Sequence, residues 1–362
     1  MVGFGKLDKY IMKKFMMTFF LAILLIIVIV IIFDISEKID QFVSHEAPLK
    51  AIAFDYYPNF VPYFMNMFSP LFVFISVIFF TSIMTSNSEV IAILSCGVSY
   101  HRMMVPYVLS ATIIAMMSLG LNLWVIPRAN ANRLKFEYKY TNKKSRFGTR
   151  DIHYKIGKDR YIYVESFSTW NNTAYNFTLE DFENDKLKSK LSAESAQWDS
   201  TKGAWKLKNY FIRDYTAGLE DSIHSGKQKD TVIALTIEDF FRSKNTVEEL
   251  PYDDLNKLIH TQLDRGDANV MYALIEKHKR WSLPFSAFIL TIMGVSLSTR
   301  KRRGGIGWNI AIGIALSFSY ILFMKFSEMF VYTDTLPPGL AIWLPNIIFT
   351  FIAAAMYYIT PK

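Results

Sequence analysis

The stretch FMMTFFLAILLIIVIVIIF, residues 15–33, decides the fold because no charged side chain interrupts it. An uncharged apolar run of about 18 residues or more can cross a membrane as a helix. Five more apolar runs follow, at residues 59–83, 104–126, 282–299, 306–326 and 340–358. Three spans precede the polar segment 128–281 and three follow it. This layout predicts a six-helix membrane bundle with one inserted domain.

Basic residues lie on one side of the predicted bundle. Four lysines precede the first span, and the sequence RKRR, residues 300–303, follows the fourth, whereas the loops 34–57 and 327–339 carry only Lys38 and Lys50. By the positive-inside rule, both termini and the RKRR turn are cytoplasmic and the inserted domain lies on the far side. Within the inserted domain, acidic residues almost balance the basic ones, so no nucleic-acid partner is predicted.

The inserted segment changes to a strand pattern. Residues 160–167, 174–183, 186–198 and 204–214 are rich in aromatic and β-branched side chains and are separated by turn residues. Trp205 and Leu207 alternate with lysines, a period of two that is typical of a strand with one buried face. Successive strands without intervening helices favour an antiparallel sandwich, barrel or jelly roll. The predicted domains are 1–127 (spans one to three), 128–250 (β domain), 251–281 (helical connector) and 282–362 (spans four to six).

Motifs for catalysis are missing from the sequence. It contains no GxxxxGK[ST] nucleotide loop and no HExxH pair, and its six histidines are scattered. The single cysteine, Cys96, excludes an intrachain disulfide. We therefore expect no catalytic centre, no metal site and no cofactor bound by this chain.

The segment NSEVIAILSCGVSYHR, residues 87–102, lies in a predicted cytoplasmic loop between spans two and three. Asn87 or Ser88 can cap a short helix, Glu89 then lies where the helix dipole favours an anion, and Gly97 suits a left-handed end. Apolar side chains at Ile91, Leu94 and Val98 give this helix an edge. Such a helix, at about residues 87–97, is either a knob for a soluble partner or an interfacial helix that rests on lipid.

This segment resembles the coupling helix of the LptF/LptG permease family, in which a Ser-Glu pair precedes apolar residues and a Gly-containing turn. The stretches FGKLDKYI (4–11), WVIP (124–127), HKRWSLP (278–284) and RKRRGG (300–305) are similar to the family as well, so the resemblance covers nearly the whole chain. Pro337 and Pro338 before the last span favour the LptG type. By this resemblance, the contacts to an ATPase would come from Ser88, Glu89, Ile91, Ala92, Leu94 and Gly97.

The resemblance implies a permease subunit of an ABC transporter in the bacterial inner membrane. Members pair with a second LptF/LptG-type permease and with a cytoplasmic dimer of the ATPase LptB, which uses ATP and Mg. Together they extract lipopolysaccharide and pass it to periplasmic jelly-roll proteins, beginning with LptC. The β domain of this chain is then expected to be a periplasmic jelly roll.

A lipopolysaccharide site needs an apolar cavity between helices and cations near its outer rim. Spans one and five could supply the wall, and the candidate rim cations are Lys38, Arg128, Arg133, Lys135 and Lys325. For Lys325, pairing with Glu328 and snorkelling to the interface remain alternatives to lipid contact. The acids Asp34, Glu37 and Asp40 depart from the lysine-rich pattern of some family members. They indicate different head-group contacts, or a divalent cation, or a partner.

A competing hypothesis is a receptor or scaffold whose β domain senses a ligand and which has no transport activity. That class predicts a sizeable cytoplasmic output domain, and the sequence has no cytoplasmic segment long enough to form one.

Overall fold

The computed structural model describes residues 5–141, 150–156, 159–168, 170–184, 186–200, 202–215, 221–233, 247–267, 269–299 and 305–360. The basic RKRR turn lies outside these residues. The chain divides into a helical unit, Met1–Thr141 with Glu248–Tyr252 and Leu274–Lys362, and a second unit, Asn142–Val247 with Asp253–Ala273.

The described helices are α1 (Lys6–Ser44), α2 (Tyr57–Ser86), α3 (Glu89–Ser95), α4 (Tyr100–Gly120), α5 (Ile126–Tyr140), α6 (Tyr252–Arg265), α7 (Val270–Ser298), α8 (Gly305–Tyr332) and α9 (Pro338–Ile359). A helical turn and a π turn lead into α2, and a second π turn (Leu121–Val125) joins α4 to α5. Six helical segments are long and apolar enough to cross a membrane. The predicted six-span arrangement is therefore confirmed.

Helix α1 is longer than its apolar run predicts. Residues 34–44, which we expected in an outer loop, continue the helix, and Asp34, Lys38 and Phe42 fall on its buried face at spacings of four. Toward the N-terminus of α1, Phe15, Phe19 and Ile23 are buried on this face. Leu24 and Leu25, on the opposite face, are about 60% exposed. Buried polar partners on other helices thus extend α1 beyond the stretch that hydropathy alone detects.

The described residues of the inserted β domain form one antiparallel sheet of six strands: β1 (Arg150–Lys155), β2 (Arg160–Ser168), β3 (Thr173–Glu183), β4 (Lys186–Asp199), β5 (Ala204–Asp214) and β6 (Ser222–Thr231). Its strands are paired in chain order. One face is buried, with Val164, Phe177 and Trp205 at its centre. The antiparallel β domain is confirmed. Its description as a jelly roll stays a prediction, because the described strands show no Greek-key crossing.

The boundary between the units differs from the predicted position at residue 128. Residues 128–140 are part of helix α5, and the chain up to Thr141 belongs to the helical unit. The reason is packing: Phe136 on α5 contacts the rings of Phe42 and Tyr56 at centroid distances of 6.0 and 5.1 Å. Residues 253–273, which we predicted as part of a separate connector, group with the second unit.

Candidate functional site

Helix α3 forms a short helical turn between the second and third spans. Ser88 precedes it with a left-handed backbone (φ 61°), and its side chain makes no capping hydrogen bond. The carbonyl of Ser88 accepts the first helical hydrogen bond, from the Ala92 N–H at 2.9 Å. Gly97 follows the helix at φ 83°, where a residue with a Cβ would be strained, so the chain reverses at this glycine.

One side of α3 is anchored and the other is displayed. Val90 is 1% exposed and packs into the core of the helical unit. Ile91 is 49% exposed, and Ala92 is exposed beside it. Leu94 is half-buried. The anchor is thus Val90, which the predicted edge of Ile91, Leu94 and Val98 did not include.

Glu89 is held in place from the neighbouring helix. The Tyr10 hydroxyl on α1 donates to Glu89 Oε2 at 3.1 Å, and Asn87 Nδ2 lies 3.4 Å from Oε1. Nearby, Arg102 at the start of α4 binds both carboxylate oxygens of Asp8 at 2.6 Å. The Tyr10 and Asn87 contacts fix the direction of the half-buried Glu89 carboxylate, and that of Tyr10 ties α1 to α3. The Arg102–Asp8 pair ties α1 to α4.

Lys38 lies inside the helical unit and not at a rim. Its side chain is 7% exposed, and its ammonium lies 2.7 Å from Asp34 Oδ1 and 3.1 Å from Glu137 Oε1. It also donates to the hydroxyl of Tyr56, which lies within 3.3 Å of both carboxylates. This arrangement corrects the expectation for Lys38, because two carboxylates of the same unit already neutralise its charge.

The three acidic residues near Lys38 in the sequence do not share one environment. Asp34 is buried in the Lys38 cluster (Asp34, Lys38, Tyr56 and Glu137), whereas Glu37 and Asp40 are exposed on the other face of α1. No group of metal-ligating side chains is found among the described residues.

The remaining candidate rim cations have different surroundings. Arg128 and Lys135 are exposed on α5. The Arg133 guanidinium lies 5.2 Å from the ring centroid of Tyr63. Burial raises the pKa of Glu249 to about 7, and the charges of Lys135 and Arg133 oppose that rise. These two α5 cations therefore lie close enough to Glu249 to act on its ionisation.

Lys325 lines a pocket between the helices. Its side chain is 52% exposed, and its ammonium lies 3.5 Å from Glu328, so the predicted pairing is present. The pocket has about 660 Å³ of space, part of it open to the surroundings. Its walls come from α2, the π turn with α5, α7 and α8, and from Glu248.

The polar side of this pocket is built from residues that sequence reasoning did not select. The π turn places Asn122 so that its Oδ1 accepts from Asn66 Nδ2 at 2.7 Å, and Asn122 Nδ2 lies 3.5 Å from the Arg280 carbonyl. Asn66 and Asn122 are polar residues inside predicted apolar spans. Their position in the sequence could therefore have indicated a role in function or packing. Arg280 stands in the HKRWSLP stretch, but nothing local indicates its burial.

The structure is that of a multi-pass membrane protein: three long apolar helical segments precede the inserted antiparallel β domain in the sequence, and three follow it. Residues 9–359 match the family described as lipopolysaccharide export system permease LptF/LptG. The chain belongs to this family. A comparison with curated proteins gives no match.

Proposed function

We propose that this chain is the permease subunit of an ABC transporter that extracts lipopolysaccharide from the bacterial inner membrane and delivers it to a periplasmic bridge. The observation that carries the proposal is the family match over residues 9–359, nearly the whole chain. The permease itself binds no cofactor. ATP and Mg act in a separate LptB-like ATPase dimer, and a second LptF/LptG-type permease and an LptC-like periplasmic protein complete the complex.

Helix α3 is the proposed contact with the ATPase. Its exposed residues Ile91 and Ala92 offer apolar surface, while Val90 holds the helix against the bundle. Glu89 is directed by Tyr10, and Gly97 ends the helix. Ser88 and Leu94 complete the proposed contact. An anchored helix transmits a displacement of the ATPase to α1 and α2, whereas a loosely attached loop would absorb it.

Lipid contact is proposed for the outward faces of α1 and α8. On α1, Leu21 and Phe33 are 58% and 72% exposed, and on α8, Phe318 and Phe326 are 54% and 63% exposed. A soluble protein would not leave such faces uncovered, so they meet acyl chains or another permease. Arg128, Arg133, Lys135 and Lys325 remain the rim cations of this proposal, and Lys38 is removed from it.

The test is transfer of lipopolysaccharide in a defined system. The chain is reconstituted in proteoliposomes with its co-purified ATPase and partner permease, and lipopolysaccharide crosslinked to a soluble jelly-roll acceptor is measured with ATP and with a non-hydrolysable analogue. We expect transfer in the presence of ATP and no transfer with the non-hydrolysable analogue. Equal transfer in both conditions, or none with a complex that hydrolyses ATP, would contradict the proposal. Binding of a small ligand to the β domain without ATP-dependent transfer would favour the receptor hypothesis.

A further inference from the structure

Arg280 carries buried hydrogen-bond donors that no described residue accepts. The residue is 1% exposed, and its Nε donates to Glu276 at 2.9 Å. Its two terminal nitrogens, Nη1 and Nη2, are buried and have no hydrogen-bond partner among the described residues. Leaving charged donors unsatisfied in a buried position is costly, so a group with acceptor oxygens is expected beside them.

Asn130, on another helix, also carries buried polar atoms without a partner among the described residues. It is 0% exposed, and both polar atoms of its side-chain amide lack a hydrogen-bond partner among the described residues. Arg280 on α7 and Asn130 on α5 line the same pocket. Two buried polar side chains from different helices thus face a single space that offers no protein partner in the described part of the chain.

The charges that line the pocket indicate the chemistry of its occupant. Its described lining includes three cations, Lys279, Arg280 and Lys325, and two carboxylates, Glu248 and Glu276. Glu276 is already engaged by Arg280 Nε. Outside the lining, Glu328 lies 3.9 Å from Lys279 and 3.5 Å from Lys325. The donors left over belong to the fork of Arg280, whose planar geometry matches an oxyanion with two oxygens side by side.

We propose that this pocket binds one phosphate group, which accepts hydrogen bonds from Nη1 and Nη2 of Arg280 and from Nδ2 of Asn130. A phosphate has enough acceptor oxygens for all three donors. Met67, Ile126, Leu283 and Met324 add apolar surface to the lining, beside the polar side chains of Tyr63, Asn66 and Asn122. The phosphate therefore comes either from a phospholipid head group or from solution. The site lies within one permease chain, and its occupancy does not depend on the proposed transport activity.

Binding is measured on the purified full-length protein. In one arm, inorganic phosphate is titrated against the protein in detergent, and the unfolding temperature is followed. In the other arm, the protein is placed in nanodiscs of phosphatidylglycerol and phosphatidylcholine in equal amounts, and retained lipid is counted by native mass spectrometry. A rise in unfolding temperature that saturates with phosphate identifies a free anion, and retention of a fixed number of phospholipids of either kind per protein identifies a head group. Either result supports the proposal.

Two variants locate the ligand in this pocket. Arg280→Lys keeps the charge but loses the fork, and Asn130→Asp keeps the shape but adds a repelling charge. We expect each to weaken the observed binding at least tenfold. The matched controls are Arg213→Lys on β5 and Asn132→Asp, an exposed position two residues along α5, and both should bind as the wild type does. Absence of binding in both arms, or unchanged binding in Arg280→Lys and Asn130→Asp, would overturn the proposal.

Discussion

At the scale of single residues, the buried Lys38 cluster shows how the first span is fixed to the rest of the bundle. Asp34 is one turn from Lys38 on α1, but Glu137 is on α5, 99 residues along the chain. Removing two charges from water is unfavourable unless they are paired and hydrogen-bonded, and here the pairing is supplied by another helix. The cluster therefore links the end of α1 to α5.

Replacing Lys38 with Met should destabilise the helical unit. The substitution removes the cation and leaves Asp34 and Glu137 as buried carboxylates without it, which costs about 3–5 kcal/mol. The measurement is the midpoint of thermal unfolding in detergent, with the exposed Lys50→Met as the matched control. We expect a clear decrease for Lys38→Met and none for Lys50→Met. Equal midpoints would show that the buried pairs have no effect on stability.

Glu249 predicts a pH dependence of stability. Burial raises its pKa from 4.5 to about 7 in the folded protein, so the folded state binds the proton more tightly than the unfolded state does. Its contribution is fully present below pH 4.5 and is lost as the pH rises to about 7. Glu249→Gln should therefore be more stable than the wild type at pH 8 and equal to it near pH 4.5. A difference that does not change with pH would rule out this titration.

At the scale of elements, α3 is the part whose proposed role depends most on one side chain. Glu89→Lys reverses the charge at its first residue and removes the acceptor of the Tyr10 hydroxyl. We expect association with the ATPase to weaken at least about tenfold, while folding and insertion remain. Co-purification of the ATPase measures the effect, with the exposed Glu37→Lys as control. Normal association of Glu89→Lys would refute the role of Glu89.

Close packing between α7 and α2 predicts that a side chain larger than that of glycine at position 294 destabilises the bundle. A Cβ at Gly294 would lie 2.9 Å from Val77 Cγ1 and 3.2 Å from Phe74 Cδ2. Gly294→Ala should therefore destabilise the bundle by about 1–3 kcal/mol. At Gly307 a Cβ meets nothing within 4 Å, so Gly307→Ala should be neutral or slightly stabilising. Equal unfolding temperatures for the two variants would mean that α2 moves aside without cost.

The elements also show where sequence reasoning succeeds. The four strands with alternating apolar residues were predicted to within one residue of their observed ends. Strand β6, SIHSGKQKDT, was missed because it is a mostly exposed edge with no apolar face to signal it. The last part of α1 was missed because charged residues, Asp34 and Lys38, precede Phe42 on its buried face. They are recognised as interior residues only when Glu137 is seen beside them.

In the candidate sites, too, local features could be predicted from the sequence and contacts between distant segments could not. The short helix α3 and its reversal at Gly97 depend on local backbone preference, and sequence patterns report that directly. The surroundings of Lys38, Arg280 and Asn130 depend on contacts between segments far apart in the chain. A single sequence gives their chemistry but not their neighbours, which is why the expected rim position of Lys38 had to be corrected.

For the whole molecule, the distribution of basic residues predicts that α3 and the β domain lie on opposite sides of the membrane. The chain has one cysteine, Cys96, which is exposed directly after α3. A membrane-impermeant maleimide should label it in inverted vesicles but not in intact spheroplasts. In the variant Cys96→Ser with Trp170→Cys, whose Trp170 is 90% exposed in the β domain, the pattern should reverse. Labelling of both positions from one side would contradict the topology.

The decisive experiment on the assignment as a transporter subunit is capture of the tagged chain from native membranes in mild detergent, with co-purifying proteins identified and quantified by mass spectrometry. We expect a soluble ABC-type ATPase and a second six-span permease, each in amounts comparable to the captured chain. Recovery of the chain alone or as a homodimer, without an ATPase, would contradict its assignment as a subunit of an ATP-driven lipopolysaccharide exporter.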